Sequence, residues 1–238
     1  MITLDDKDAM TAYIENQYVL SSNELGWDLL FCSYKNMLSP RYPIAFFGLN
    51  PGGSGWTQGA ISCEGKCAYY DEEWYGAPAG EAPFQQQMRA LFSLLGNIVG
   101  STYQELMDGC LMTNYIPPRS PNWHALKNKQ MLIEKMRPIW ADRINKVYNR
   151  LYISISQLVF DELHQLLLAQ GYQQIGKDHR THIGWGRVTY QMRWYEREGK
   201  KSLLIRLPHL STYKIFSRKN CEEQIAYIIS EAESILSN

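Results

Sequence analysis

The sequence predicts an α/β fold with three layers, α/β/α, in which a mainly parallel sheet of four strands lies at the centre and one antiparallel hairpin strand is added. Short apolar runs at residues 44–47, 110–113, 151–154 and 203–207 alternate with longer segments of helical character. Three of these four runs end in polar loops, which is typical of parallel strands that open toward a ligand site at one edge of a sheet.

The segments between the strands are predicted to be mainly helical. Two N-terminal helices, at residues 5–19 and 23–37, are expected to pack on the sheet within residues 1–40. Further helices are predicted at residues 84–99, 127–147, 157–169 and 222–236. Residues 187–194 alternate between apolar and polar side chains, which predicts the antiparallel strand. We expect residues 1–238 to form a single domain, because one hydrophobic core can serve a chain of this length.

The composition is that of an ordinary globular protein, with 45% hydrophobic and 20% charged residues. The 24 Lys and Arg residues balance the 24 Asp and Glu residues, so the molecule as a whole does not attract polyanions. Residues 199–220, however, contain six basic residues and no carboxylate. Any nucleic-acid surface is therefore expected to be local.

The five cysteines do not resemble a disulfide framework, because their number is odd and their spacing irregular. The cysteines therefore favour a reducing, cytoplasmic location. We expect no membrane partner, since no apolar run is long enough to span a bilayer. We also expect no metal or other cofactor. One alternative is a metal site at His179 and His182. A solvated loop is the simpler interpretation of those histidines.

Three motifs follow predicted strands. The first is Gly48-Leu49-Asn50-Pro51-Gly52, which continues through Gly53 to a Trp56-Thr57-Gln58-Gly59 segment. This turn lacks the Lys-Ser/Thr ending of a phosphate-binding P-loop and the glycine spacing of a dinucleotide fingerprint, which disfavours an enzyme with a nucleotide cofactor. The second motif is Asn114-Tyr115-Ile116-Pro117, and the third is Pro208-His209-Leu210-Ser211.

Together the three motifs resemble those of the uracil-DNA glycosylase superfamily, most closely the single-strand-selective monofunctional and mismatch-specific branches. The resemblance extends from residue 43 to about residue 220, although only the motifs carry it. It implies the uracil-DNA glycosylase fold and a monofunctional glycosylase that removes uracil or a modified pyrimidine from DNA, in base-excision repair, by flipping the base into a pocket. No motif places a lysine for Schiff-base chemistry, so lyase activity is not expected. Some members of the superfamily hold an iron-sulfur cluster on four cysteines, so a cluster that includes Cys63 and Cys67 is an alternative, although the other three cysteines are expected in the core.

The resemblance also implies roles for individual residues. Asn50 would orient the attacking water, and His209 would donate a hydrogen bond to the charge that develops on the departing base. Asn114 would read the polar edge of the base, because an amide both donates and accepts. The backbone at the first motif would approach the flipped nucleotide, so the expected base-binding set is completed by Gly48, Leu49, Pro51, Gly52, Gly53, Trp56 and Tyr70.

The resemblance places DNA contacts after the third motif. Ser211, Thr212, Lys214, Arg218 and Lys219 are candidates for binding phosphates, and Tyr213, Ile215 or Phe216 for filling the space that the flipped base leaves. Two features depart from the family pattern. Leu210 follows His209 where a proline is usual, and Ser62 and Cys63 stand where the family has a base-stacking aromatic, a role that Trp56, Tyr69 or Tyr70 would then fill.

Two further functions remain open at this stage. The chain could be a module that keeps the fold and binds damaged or foreign nucleic acid without chemistry, or a hydrolase that acts on free nucleosides or nucleotides. For the leading interpretation, the expected partners are DNA, including single-stranded DNA, and its flipped pyrimidine, and the protein is expected to be a monomer.

Overall fold

A computed structural model describes residues 3–237 of the chain. Within this range the structure is α/β, with seven α-helices and six β-strands. The helices are α1 (Lys7–Ser21), α2 (Ala68–Asp71), α3 (Pro83–Val99), α4 (Tyr103–Gly109), α5 (Lys129–Lys146), α6 (Gln157–Ala169) and α7 (Glu222–Leu236). The strands are β1 (Ile44–Gly48), β2 (Leu111–Asn114), β3 (Leu151–Ser154), β4 (Gln173–His182), β5 (Thr189–Arg197) and β6 (Lys200–Arg206). Short 3₁₀ helices occupy Tyr34–Met37, Ile215–Ser217 and Lys219–Cys221.

All six strands belong to one mixed sheet in the order β2-β1-β3-β6-β5-β4. The strands β1, β2, β3 and β6 pair in parallel, whereas β5 is antiparallel to both β6 and β4. Parallel strands β1, β2 and β3 are buried at every residue, as expected for strands that are covered on both faces. Their carboxyl ends, together with that of β6, lie at one edge of the sheet.

Helices cover both faces of this sheet. Phe46 and Phe47 are neighbours in β1, so their side chains point to opposite faces. The ring of Phe46 lies 6.4 Å from that of Phe92 in α3, and the ring of Phe47 lies 5.1 Å from that of Trp140 in α5. Helix α7 packs on α3, and α6 packs on α5. The hydrophobic core therefore lies in two layers, one on each side of the parallel strands.

The prediction of a helix at residues 23–37 was wrong. Only Tyr34–Met37 is helical there, as a single 3₁₀ turn. The preceding residues run antiparallel to β2 and its continuation, where Asn114 N–H donates to Leu29 O at 3.1 Å and Asp28 N–H to Pro117 O at 3.0 Å. Residues 26–31 therefore cover the outer edge of β2 in an extended conformation. The other N-terminal helix is confirmed as α1, which packs against α5.

The structure also has one strand more than the sequence predicted. Residues 173–182, which include His179 and His182, form β4 on the outside of β5. The interpretation of these histidines as part of a solvated loop was therefore wrong. The described residues contain no helix that is both long and apolar enough to cross a membrane.

Candidate functional site

The three polar residues singled out by the motifs follow strands that run in the same direction. Asn114 is the last residue of β2 and pairs with Gly48 at the end of β1, two residues before Asn50. His209 comes three residues after the end of β6, which is separated from β1 only by β3. Because parallel strands end at a common edge, Asn50, Asn114 and His209 lie at the same edge of the sheet.

The side chain of Asn50 is oriented by hydrogen bonds from its nitrogen. Nδ2 lies 2.9 Å from Ser120 Oγ, 3.2 Å from Pro118 O and 3.1 Å from Pro51 O. The two carbonyls can only accept, so the atom that faces them must be the amide nitrogen. Within residues 3–237, no hydrogen bond engages Asn50 Oδ1. This oxygen is free to accept a hydrogen bond from water or from a ligand.

Asn114 lies directly over the end of β1. A β-carbon at Gly48 would stand 2.1 Å from Asn114 Oδ1, so only glycine leaves room for this amide. The residue is 4% exposed, and among the described residues no hydrogen bond reaches its side-chain amide. A buried amide normally finds partners inside the protein. Asn114 therefore has donor and acceptor capacity to offer a ligand that enters at the strand ends.

The loop that carries Gly52 is held by an ion pair from outside the motifs. Arg119 Nη1 donates to Gly52 O at 2.9 Å, and Arg119 Nε donates to Asp28 Oδ2 at 2.5 Å. Burial raises the pKa of Asp28, and the guanidinium of Arg119 opposes this effect. Tyr75 also reaches this loop, because a β-carbon at Gly52 would lie 3.3 Å from the Tyr75 hydroxyl. The first motif is therefore fixed by residues that are distant in sequence.

His209 is anchored on one ring nitrogen and open on the other. Nδ1 lies 2.8 Å from Ser211 Oγ, whereas Nε2 makes no hydrogen bond within the described part of the chain. With the Ser211 hydroxyl donating, the neutral ring carries its proton on Nε2. His209 is exposed to solvent, yet partial desolvation of the ring lowers the pKa of His209 below its ordinary value. The site thus favours a neutral imidazole that can donate from Nε2.

The aromatic ring nearest to His209 is Phe84, at the start of α3. The two rings are nearly parallel, with an interplanar angle of 23° and centroids 6.1 Å apart. Trp74 stacks on Phe84 at 6.3 Å and 17°, and Trp74 Nε1 donates to Glu72 Oε2 at 2.8 Å. Sequence reasoning missed Phe84 and Trp74, because neither lies in a motif. The α3 start and the loop before it thus supply the aromatic wall of the site.

The aromatic residues expected from the resemblance lie elsewhere. The Tyr70 hydroxyl donates to Asp108, in α4 just before β2 begins, so Tyr70 points away from the end of β2 that carries Asn114. Tyr69 is buried in the core against Phe31. Trp56 is 69% exposed on the first loop. The structure does not bring Tyr70 to the strand ends, and a base-binding role for Trp56 stays a prediction.

Contacts lead from the loop of Asn50 to Asp28, and other contacts lead from Glu72 to His209. Arg119 links Gly52 to Asp28, and the nearby carboxylate of Glu72 contributes to the raised pKa of Asp28. Glu72 accepts a hydrogen bond from Trp74, whose ring stacks on that of Phe84. The ring of Phe84 in turn stacks on that of His209. The carboxylates of Asp28 and Glu72 are therefore where the two sets of contacts come near each other.

Most of the expected DNA-contacting residues are on the surface. Ser211, Thr212, Lys214, Arg218 and Lys219 are exposed. Among the candidates for filling the space of a flipped base, Ile215 is fully buried, so it does not suit that role. Phe216 is half-buried, and Tyr213 is half-buried with its ring 5.6 Å from that of Trp185.

His179, His182 and the cysteines are the residues that the sequence offered as alternative metal ligands. His179 Nε2 lies 3.0 Å from the Tyr190 hydroxyl in the β4–β5 hairpin. All five cysteines are free thiols. Within residues 3–237, no group of three or more His, Cys, Asp or Glu side chains is arranged to hold a metal ion.

A comparison of the chain with models of known protein families gave no match. A comparison with curated proteins gave no match either.

Proposed function

We propose that the protein is a monofunctional DNA glycosylase that hydrolyses the N-glycosidic bond of uracil or a modified pyrimidine. The observation that carries the proposal is the state of Asn50, whose amide nitrogen is held by three acceptors while its oxygen is free. This oxygen lies at the same sheet edge as the unpaired amide of Asn114 and the free nitrogen of His209. The motif resemblance to uracil-DNA glycosylases supports the same conclusion.

Asn50 would position the attacking water. Hydrolysis of a base-sugar bond passes through a state with positive charge on the sugar, so a well-placed water suffices and a strong base is not required. An amide oxygen is a weak base but a good hydrogen-bond acceptor. Since Ser120 and two carbonyls fix the amide nitrogen, Asn50 Oδ1 would hold the water in one place.

His209 would stabilise the departing base. As the bond breaks, negative charge grows on the base, and a donor already aimed at that charge lowers the barrier. When the Ser211 hydroxyl donates a hydrogen bond to Nδ1, the neutral form of His209 has such a donor at Nε2. Phe84 would keep the imidazole in its plane by stacking against it.

Asn114 would select the base. Uracil presents an N–H donor beside a carbonyl acceptor, and one amide side chain can pair with both. Cytosine presents the opposite pattern at the same edge. Because the amide is wedged against Gly48, it would not easily rotate to suit cytosine. The proposal includes a cytoplasmic location, for which the odd number and irregular spacing of the cysteines are the support.

A base-release assay tests this proposal. A panel of oligonucleotides, each with one uracil, hydroxymethyluracil or other modified base, is incubated with the protein and then treated with alkali to cleave abasic sites. We expect cleavage for at least one pyrimidine and strong loss of it in Asn50→Ala and His209→Ala. Asn97→Ala and His124→Ala replace exposed residues of the same types and should retain full activity.

The assay also separates the other functions. Binding of DNA that leaves every base intact would indicate a recognition module, and turnover of free nucleosides without release from oligonucleotides would indicate a nucleoside hydrolase. Either result would overturn the glycosylase proposal.

A further inference from the structure

A cleft lies between the β4–β5 turn and the segment that follows the third motif. Its lining residues are Gly184, Trp185, Gly186, Arg218, Lys219 and Asn220. The two segments touch closely at Gly184, where a β-carbon would stand 1.8 Å from Asn220 O. The φ of Gly184 is +96°, a positive value that also favours glycine. The cleft is therefore built by two segments that are distant in sequence.

The cleft presents a positive charge in a fixed orientation. Arg218 Cζ lies 3.3 Å from the centroid of the Trp185 ring, so the guanidinium stacks on the indole. Trp185 is in turn contacted by Tyr213 in an edge-to-face arrangement at 5.6 Å. Stacking on the ring limits the rotamers of Arg218 while its N–H donors remain available.

This charge is not neutralised inside the protein. Among the residues that the structure describes, neither Arg218 nor Lys219 has a carboxylate partner within 4.0 Å, and no acidic residue lines the cleft. By contrast, Arg119 and Arg193 are both paired with aspartates. Two unpaired cations that share a concave surface favour an anionic ligand.

The size of the cleft narrows the choice of ligand. Its volume is about 270 Å³. Pockets for small molecules typically measure about 300–1,000 Å³, so the cleft suits a phosphate group and the adjoining sugar better than a complete cofactor. An arginine fork and a lysine are the usual partners of phosphate oxygens.

The cleft is continuous with the proposed catalytic loop. The backbone N–H groups of Thr212 and Tyr213 both donate to His209 O, at 3.0 and 2.9 Å. The ring of Tyr213 then contacts Trp185 in the cleft wall. A nucleic-acid strand whose reacting base lies at His209 would therefore pass Trp185 and Arg218 with its neighbouring nucleotides.

We propose that this cleft binds a backbone phosphate of the DNA strand beside the reacting nucleotide, with Trp185 holding Arg218 in place. The inference rests on the proposed glycosylase function for its ligand, and it adds the β4–β5 turn to the DNA-binding surface. The arrangement needs no particular base sequence, because only phosphate oxygens are contacted.

Fluorescence anisotropy with a short single-stranded oligonucleotide of normal bases tests the proposal, because no base can be excised from it. We expect Arg218→Ala to weaken binding several-fold and to lower the slope of log Kd against log salt by about 0.7, the value for one phosphate contact on a single strand. Trp185→Ala should act in the same direction, and Trp185→Phe should retain most of the binding. Unchanged binding and salt slope in Arg218→Ala would overturn the proposal.

Arg41→Ala is the matched control, since Arg41 also lies over an aromatic ring, that of Tyr42, but near the beginning of β1 at the opposite end of the sheet. It should bind the oligonucleotide as the unchanged protein does. A second arm replaces the oligonucleotide with inorganic phosphate. Binding of inorganic phosphate that depends on Arg218, without oligonucleotide binding, would identify a free-anion site and overturn the assignment to DNA.

The two proposals fail in different ways. Asn50→Ala should lose base release while retaining oligonucleotide binding and its salt slope. If no base is released from any substrate but Arg218 still governs oligonucleotide binding, the phosphate site stands and the glycosylase function fails. If bases are released and Arg218→Ala binds the oligonucleotide normally, the glycosylase function stands and the phosphate site fails.

Discussion

Asn50 Nδ2 and Ser120 Oγ are 2.9 Å apart, although 70 residues separate them in the sequence. Ser120 donates its own proton to Asn122 O at 2.9 Å, so its oxygen is available as an acceptor for Asn50. The serine thereby joins the two carbonyls in holding the amide nitrogen of Asn50, which leaves Oδ1 free. A residue outside the three motifs thus helps to orient a residue inside them.

Replacing Ser120 should affect chemistry through Asn50. We expect Ser120→Ala to lower kcat by roughly three- to tenfold, because two carbonyls still hold the amide nitrogen, and Asn50→Ala to lower it by about 100-fold. In the Asn50→Ala background, Ser120→Ala should have little further effect, which a double-mutant cycle on kcat and KM measures. Additive losses would show that Ser120 acts independently of Asn50. Ser93→Ala, on the exposed side of α3, is the control.

The protonation of His209 should be shifted toward the neutral form. Desolvation lowers the pKa of His209 below its ordinary value of 6.5, so the folded protein binds this proton less tightly than the unfolded chain does. The contribution of the neutral ring to stability is therefore fully present above about pH 6.5 and is lost as the pH falls below that value and through the lower pKa of the folded state. Titration of the imidazole by NMR should give a midpoint below 6.5. A midpoint at or above this value would contradict the prediction.

The same shift predicts the pH dependence of base release. Above about pH 7, His209 is neutral and should cause no change in the rate. Any inflection from this residue should lie at lower pH and should be missing in His209→Gln, whose amide keeps an N–H donor. We also expect His209→Gln to retain more activity than His209→Ala. Rates measured across this pH range for the three proteins check the expectation.

Enlarging Gly48 should disturb Asn114. The new β-carbon of Gly48→Ala would stand 2.1 Å from Asn114 Oδ1, so the amide must move. We expect a loss of about 1–3 kcal/mol in the free energy of unfolding and weaker discrimination of uracil from cytosine. Urea unfolding and kcat/KM on both substrates measure these effects. Gly55→Ala adds a methyl group in open space on the following loop and should be neutral.

Removing Arg119 should destabilise the first loop. Asp28 and Arg119 keep only 15% and 21% of their side chains exposed, so Arg119→Ala leaves a largely buried carboxylate without its partner. We expect the free energy of unfolding to fall by about 2–3 kcal/mol. In Lys127→Ala the lost ion pair is exposed, and the change should stay within about 0.5 kcal/mol. Equal changes in the two variants would contradict the view that Arg119 holds Gly52.

The parallel strands were predictable because each is an unbroken apolar run between polar loops. Such runs mark strands that are buried on both faces, and all four were found close to the predicted positions. The strand β4 gave no such signal. Its residues are mostly polar and exposed, since it lies at the outer edge of the sheet. Only its pairing with β5 makes it a strand.

The segment 23–37 shows the opposite error. Trp27, Leu29, Leu30 and Phe31 are buried, and such a dense apolar cluster fits a helix as readily as an extended chain. What decides its conformation is pairing with residues 112–119, which are more than 80 positions away. The sequence of residues 23–37 alone does not indicate that these residues pair with residues 112–119.

The candidate site was predictable only at the strand ends. Asn50, Asn114 and His209 were identified because each follows a buried run. Asp28, Arg119 and Phe84 reach the same region through contacts across the fold, such as the 91 residues between the members of the ion pair. No spacing within the chain predicts these contacts.

The two outer borders of the sheet are protected in different ways. Along β2, backbone groups form hydrogen bonds with residues 26–31. Along β4, the register of the pairing with β5 is interrupted between Ile175 and His179, a stretch that contains the charged residues Lys177 and Asp178. An uninterrupted, uncharged border would invite strands from other molecules to add to it. Deleting the charges at 177 and 178, or loosening the N-terminal segment, should therefore raise the tendency of this protein to self-associate into aggregates.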